Sequence, residues 1–241
     1  MNNIKLVDLL KDLIILTFLA IPPFIAFRRR ILKRANKLVS FIIFIIYMAL
    51  TIFTQNLAPF ILVMLILHWH NKRQSDYRDN LTKPIGSKKF EIVLYSITFK
   101  FIILLVTALF VILLMKFGIN PESQDVVKMF YEGSWGRVIW LSLITVLFAP
   151  FLEEYVFRHI FYRGFSKKIG KTLSAVLTSV LFMILHFNIA SSIGTFSLGI
   201  MNCILYEKYG YRAAVLNHFI FNLTSTIVII ALKIVNPVLM Q

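Results

Sequence analysis

Apolar residues fill long blocks of this chain, and short polar segments, most of them basic, separate the blocks. A helix crossing a lipid core about 30 Å thick needs about 20 predominantly apolar residues, because its backbone polar groups must be bonded within the segment. The blocks predict spans near 9–27, 38–54, 57–70, 91–116, 138–157, 172–190, 192–206 and 213–235. The stretch 38–70 is too long for one crossing and reads as a hairpin hinged near Thr54-Gln55-Asn56. The first block is no cleaved signal: Lys11 and Asp12 stand at its start, Pro22-Pro23 lie inside, and Arg28-Arg29-Arg30 follow in place of small residues. The expected fold is all-α, a polytopic membrane helix bundle of about eight transmembrane helices. The long polar loop 71–90 divides an N-terminal group (1–90), of unassigned role, from a C-terminal core (91–241).

Composition supports this reading. The chain is 59% hydrophobic and only 15% charged, whereas soluble domains have about 45–50% apolar and about 25% charged residues. One cysteine, Cys203, excludes a disulfide framework and a cysteine-rich metal site. The net charge of +15 would suggest nucleic acid in a soluble protein. Here the charge follows the loops. Segments 28–37, 71–89, 158–171 and 207–212 hold 19 of the 26 Lys and Arg residues. The positive-inside rule places these four segments in the cytoplasm, and 117–136, with Glu122, Asp125 and Glu132, outside along with both termini. Anionic membrane lipid, not nucleic acid, is the expected partner of the basic charge.

Ionisable residues inside a span cost about 2.5–3.5 kcal/mol or more and mark candidate function. Lys100 lies far enough toward a span end to be expected to snorkel to the interface. The C-terminal core holds three stronger exceptions. Glu153-Glu154 follow an apolar run and Pro150, and Glu154 is i,i+4 from Arg158, able to pair on one helix face. Glu153 points about 100° away around the helix and is left available. His186 ends an apolar helix, four residues after Phe182. His218 and Asn222 are again i,i+4. A helical rise of about 1.5 Å per residue lets the three meet near mid-membrane, on the inner side. Each group alone also fits an ordinary role: an interfacial ion pair, a satisfied core histidine, or polar glue between helices.

Together, a carboxylate, two histidines and an amide suit hydrolysis. The carboxylate can act as general base on water that one histidine helps to hold. The other histidine and Asn222 can donate to the developing oxyanion. No nucleophile motif accompanies the histidines: Ser191 and Ser192 lie in no nucleophile elbow, and Cys203 reads as packing. Zinc held by Glu153 or Glu154 with His186 and His218 is the alternative. It lacks a His-Glu-x-x-His motif and needs ligands from three helices, so the metal-free reading leads.

The ordered set Glu153-Glu154-x-x-x-Arg158, Phe182-x-x-x-His186 and His218-x-x-x-Asn222 resembles the signature of the CPBP intramembrane proteases, also called the Abi or CAAX-protease family. The resemblance covers about 138–235. It implies Glu153 as catalytic glutamate with His186, and His218 with Asn222 at the oxyanion. Glu154, Arg158 and Phe182 are implied as supporting residues, and no cofactor is implied. The implied activity is endopeptidase action on a membrane-associated peptide or protein. Because the chain is short, basic and rich in Ile, Phe and Lys, it is expected in a bacterial plasma membrane, where bacteriocin or pheromone-precursor processing or self-immunity would be the role. The rival readings are a non-enzymatic partner of a receptor or sensor kinase, and a small-solute transporter. The second lacks the paired, inverted halves that fold type uses.

Overall fold

The computed structural model describes residues 2–54, 57–73 and 80–235. Among them are nine helices and no strand. In chain order they are α1 (Asn2–Arg30), α2 (Lys37–Thr54), α3 (Leu57–Arg73), α4 (Lys89–Lys116), α5 (Asp125–Glu132), α6 (Trp135–Ile169), α7 (Lys171–Ile184), α8 (Ser192–Tyr209) and α9 (Tyr211–Val235). The chain is an all-α membrane bundle. Every predicted span falls on a helix, but the count of eight is not reproduced. Five helices, α1, α2, α4, α6 and α9, are long and apolar enough to cross a membrane, by length and composition. Gln55 and Asn56 of the expected hinge lie outside the described residues.

The exception that matters most is α7. The predicted span continues to residue 190, yet the helix stops at Ile184, before the polar His186 and Asn188. A tight turn follows, in which Phe187 takes φ 47° and Asn188 Oδ1 accepts the Ser191 amide at 2.9 Å. Fourteen residues span about 21 Å, short of a lipid core of about 30 Å. The α7–α8 hairpin therefore stops below one face of the bundle. Close packing of the pair depends on small residues. A Cβ on Gly199 of α8 would come 2.7 Å from Cβ and 2.9 Å from Cα of Ser179 on α7, so only glycine lets the backbones approach this closely.

Polarity is inverted relative to a soluble protein. Lys100, Glu154, Arg158, Ser179, Asn202, Asn217 and His218 are buried, while Phe53, Phe101, Leu105 and Ile139 are more than 60% exposed. A hydrocarbon solvent accepts the apolar surface and drives polar groups inward to find partners. Lys100 follows this rule and does not snorkel. Its Nζ donates to Ser225 Oγ at 2.6 Å and sits 3.6 Å from the Phe221 ring centroid, so α9 satisfies the charge in place. The main apolar core joins the N-terminal helices to the rest: Leu19, Phe24, Tyr47 and Ile66 pack in one cluster with Leu152, Tyr155, Phe182 and Tyr206.

The two ends of the bundle differ in charge. At one end Arg30 meets His159 at 3.3 Å, Lys83 donates to the Lys208 carbonyl at 2.8 Å, and Lys171 pairs with Glu207. Gly210, at φ +89°, turns the chain there so closely that the Tyr211 amide reaches the Asn80 carbonyl at 2.7 Å. At the other end α5 lies against the last turns of α9, where Lys233 Nζ donates to the carbonyls of Phe130, Tyr131 and Gly133 at 2.5–3.1 Å. Asn188, in the α7–α8 turn, donates to the Glu122 carbonyl at this same end.

Candidate active site

The long helix α6 is not uniformly α-helical. Leu143–Phe148 and Tyr155–Tyr162 are π-helical, flanking the α-helical segment Ala149–Glu154. Proline explains part of this. Pro150 has no N–H, and in the π register, where Ala149 N–H bonds the Ile144 carbonyl, the next acceptor, Thr145, loses its donor. Asn222 of α9 fills the gap, its Nδ2 donating to the Thr145 carbonyl at 2.8 Å. The second π segment carries Arg158 and His159 and keeps both buried, so the stretch after Glu154 belongs to the packed interior of the bundle, within the candidate span Trp135–Ile169. Arg158 is thus a buried partner and not a loop charge. Such π segments are rare and recur at functional sites.

Glu154 is the hub. It is wholly buried. Its Oε1 accepts from Asn202 Nδ2 at 2.8 Å and from His218 Nδ1 at 2.7 Å, and its Oε2 lies 3.0 Å from Arg158 Nε. The Arg158 guanidinium also donates to the Gly199 carbonyl at 3.2 Å and lies 4.9 Å from the Phe182 ring centroid. Asn217 Nδ2 donates to Asn202 Oδ1 at 2.7 Å. One carboxylate therefore ties α6, α8 and α9 together through a charge-assisted network. Asn202 and Asn217 were missed in the sequence reading. Neither sits in a motif; the only signal was an amide inside each of two apolar helices.

Glu153 is differently placed. Its side chain is 15% exposed, and its Oε2 lies 3.8 Å from His218 Nε2. His218, with Nδ1–H donated to Glu154, stands between the two glutamates. Phe182 packs edge-on against both His186 and His218, at centroid distances of 4.6 and 5.9 Å. His186 Nδ1 bonds the Phe182 carbonyl at 2.7 Å. A carbonyl only accepts, so Nδ1 carries the hydrogen and Nε2 keeps its lone pair.

Glu153 and His186 both line one cavity of about 820 Å³, with Phe157, Phe182 and Leu185 beside them. Its remaining wall is the first half of α1 (Asp8 to Leu19) and the segment from Glu122 to Glu132. His218 and Asn222 are not on this wall; His218 stands behind Glu153, and Asn222 reaches the π segment of α6. The cavity opens at the α5 end of the bundle. The reason is the early end of α7, which leaves His186 beneath an open funnel. Among the described residues, no three His, Cys, Asp or Glu side chains are grouped so as to hold a metal ion.

Residues 135–224 match the family model described as type II CAAX prenyl endopeptidase Rce1-like. No curated protein and no solved structure matches the chain. The matched segment contains the whole Glu154 network, both cavity-facing groups and the π-helical breaks. Over those residues, well under half of the chain, the protein is similar to the CAAX-protease type of membrane endopeptidase.

Proposed function

We propose that this protein is an intramembrane endopeptidase of CAAX-protease type that hydrolyses a membrane-associated peptide or protein, in peptide-precursor processing or self-immunity. The observation that carries the reading is the contrast between the glutamates. Glu154 is buried, with two hydrogen bonds accepted at Oε1 and an ion pair to Arg158 at Oε2, whereas Glu153 faces a cavity shared with His186.

In this reading Glu153 takes a proton from a water molecule that His186 Nε2 also holds through its lone pair. The resulting hydroxide attacks the scissile carbonyl carbon, and the proton passes from Glu153 to the leaving amine nitrogen. The tetrahedral oxyanion needs donors. The resemblance implies Asn222 as one; it does not line the cavity and its Nδ2 is held by the Thr145 carbonyl, so a substrate carbonyl must pass Glu153 to reach its second hydrogen. His218 Nε2, which stands behind Glu153 at 3.8 Å from its Oε2, is the other group the resemblance implies. Glu154, Arg158 and Asn202 are positioning residues: they fix the His218 ring and the α6–α8–α9 spacing.

The test is release of product from membrane-tethered peptides by the protein reconstituted in liposomes, read by mass spectrometry. Glu153→Gln and His186→Ala are each expected to slow cleavage by about 10²–10⁴-fold, with Cys203 still shielded from thiol dyes. Cleavage that persisted in both variants would overturn the assignment. A biological phenotype surviving both would favour a contact-based role.

A further inference from the structure

We infer that the active-site cavity opens on the non-cytoplasmic face of the membrane, so that the substrate is a peptide segment presented outside the cell. The inference rests on the protease reading for its substrate, but not for its sidedness. With Arg158 withdrawn into the membrane, 18 of the 26 Lys and Arg residues remain in segments 28–37, 71–89, 163–171 and 207–212. Contacts between Arg30 and His159, Lys83 and Lys208, and Lys171 and Glu207 gather the described parts of these segments at one end of the bundle. By the positive-inside rule that end is cytoplasmic.

The cavity mouth lies at the other end. Asp8, Lys11 and Asp12 of α1 line it together with Glu122, Asp125 and Lys128. Asp8 and Arg30 belong to the same helix, and the 22 residue steps from one to the other rise about 33 Å, a full lipid core. Toward the basic end the site is closed. His218 lies seven residues from Tyr211, the first residue of α9, hence about 10 Å above that end. Beneath it Tyr155, His159, Tyr162, Tyr206 and Tyr211 are all at most 5% exposed and joined by ring contacts 5.2–6.4 Å apart. A smaller cavity of about 250 Å³ at the basic end touches Phe151 and Tyr211 but neither Glu153 nor His186. On this geometry the substrate enters from the open end, opposite the basic one. A lipidated C-terminus in the cytoplasm would arrive at the plugged face.

Single cysteines in a Cys203→Ser background decide the sidedness. Asp125→Cys lines the mouth, and Lys167→Cys marks the basic end. A membrane-impermeant maleimide is applied to bacterial spheroplasts and to inverted membrane vesicles expressing each variant. Asp125→Cys is expected to label in spheroplasts and to lose labelling in inverted vesicles, with Lys167→Cys showing the reverse. Labelling of Asp125→Cys from the cytoplasmic side alone, or of both sites from one side, overturns the inference. A bulky maleimide placed from outside on Asp125→Cys is also expected to block peptide cleavage. If no variant cleaves any peptide, the protease reading fails while the labelling pattern still settles the orientation.

Discussion

Replacing Glu154 with glutamine should cost the protein its fold more than its chemistry, and replacing Glu153 the opposite. Glu154→Gln removes the charge that balances Arg158, whose side chain is 1% exposed. It also places an amide where two donors, Asn202 Nδ2 and His218 Nδ1, now converge on one oxygen. Breaking a buried ion pair from one side costs about 3–5 kcal/mol, since the remaining charge is left uncompensated. At about 2–4 °C per kcal/mol for a chain of this size, the midpoint of thermal unfolding should fall by about 6–20 °C. Glu153 meets His218 only at 3.8 Å, so Glu153→Gln should move the midpoint by about 2 °C or less. Cys203, 1% exposed, supplies the probe: a thiol-reactive dye reports its exposure on heating in detergent. The double variant Glu154→Gln with Arg158→Met removes both charges and should recover part of the loss. Equal midpoints for the two glutamate variants, or a double variant worse than the sum of its parts, would refute the hub role of Glu154.

Other outcomes follow from the same geometry. Gly199→Ala forces a Cβ into the Ser179 backbone and should destabilise by about 1–3 kcal/mol, read by the same dye assay, whereas Ser179→Gly should partly rescue it. Asn202→Leu leaves Asn217 Nδ2 and one Glu154 contact without a partner and should cost about 1–3 kcal/mol per orphaned group. Ring reorientation at His218 would add a fall in kcat larger than the change in KM. Because the proposed base and water-holder are protein side chains, treatment with EDTA or phenanthroline should leave the cleavage rate unchanged. Loss of activity restored by Zn²⁺ would return the metal reading to contention.

The membrane bundle was legible from the length of the apolar blocks, because lipid imposes one rule on every span and the blocks obey it. The pairing of Glu154 with Arg158, and the exclusion of Glu153 from that pair, also followed from helical geometry at i,i+4. Three things did not. The predicted span reaches residue 190, but α7 ends at Ile184, just before His186 and Asn188; the turn is set by Asn188 bonding to Ser191 and to the distant Glu122 carbonyl. Lys100 looked like a residue near a span end, yet its partner Ser225 is 125 positions away. Asn202 and Asn217 reveal their role only once α8 and α9 are packed side by side. Local patterning determined which residues enter the membrane and which face of a helix each occupies. Tertiary packing alone decided which buried polar groups find each other, since hydrogen bonds across helices depend on depth and rotation that no single segment encodes. It also decided which end of the bundle the cavity opens to, because that is set by where a helix stops relative to its neighbours.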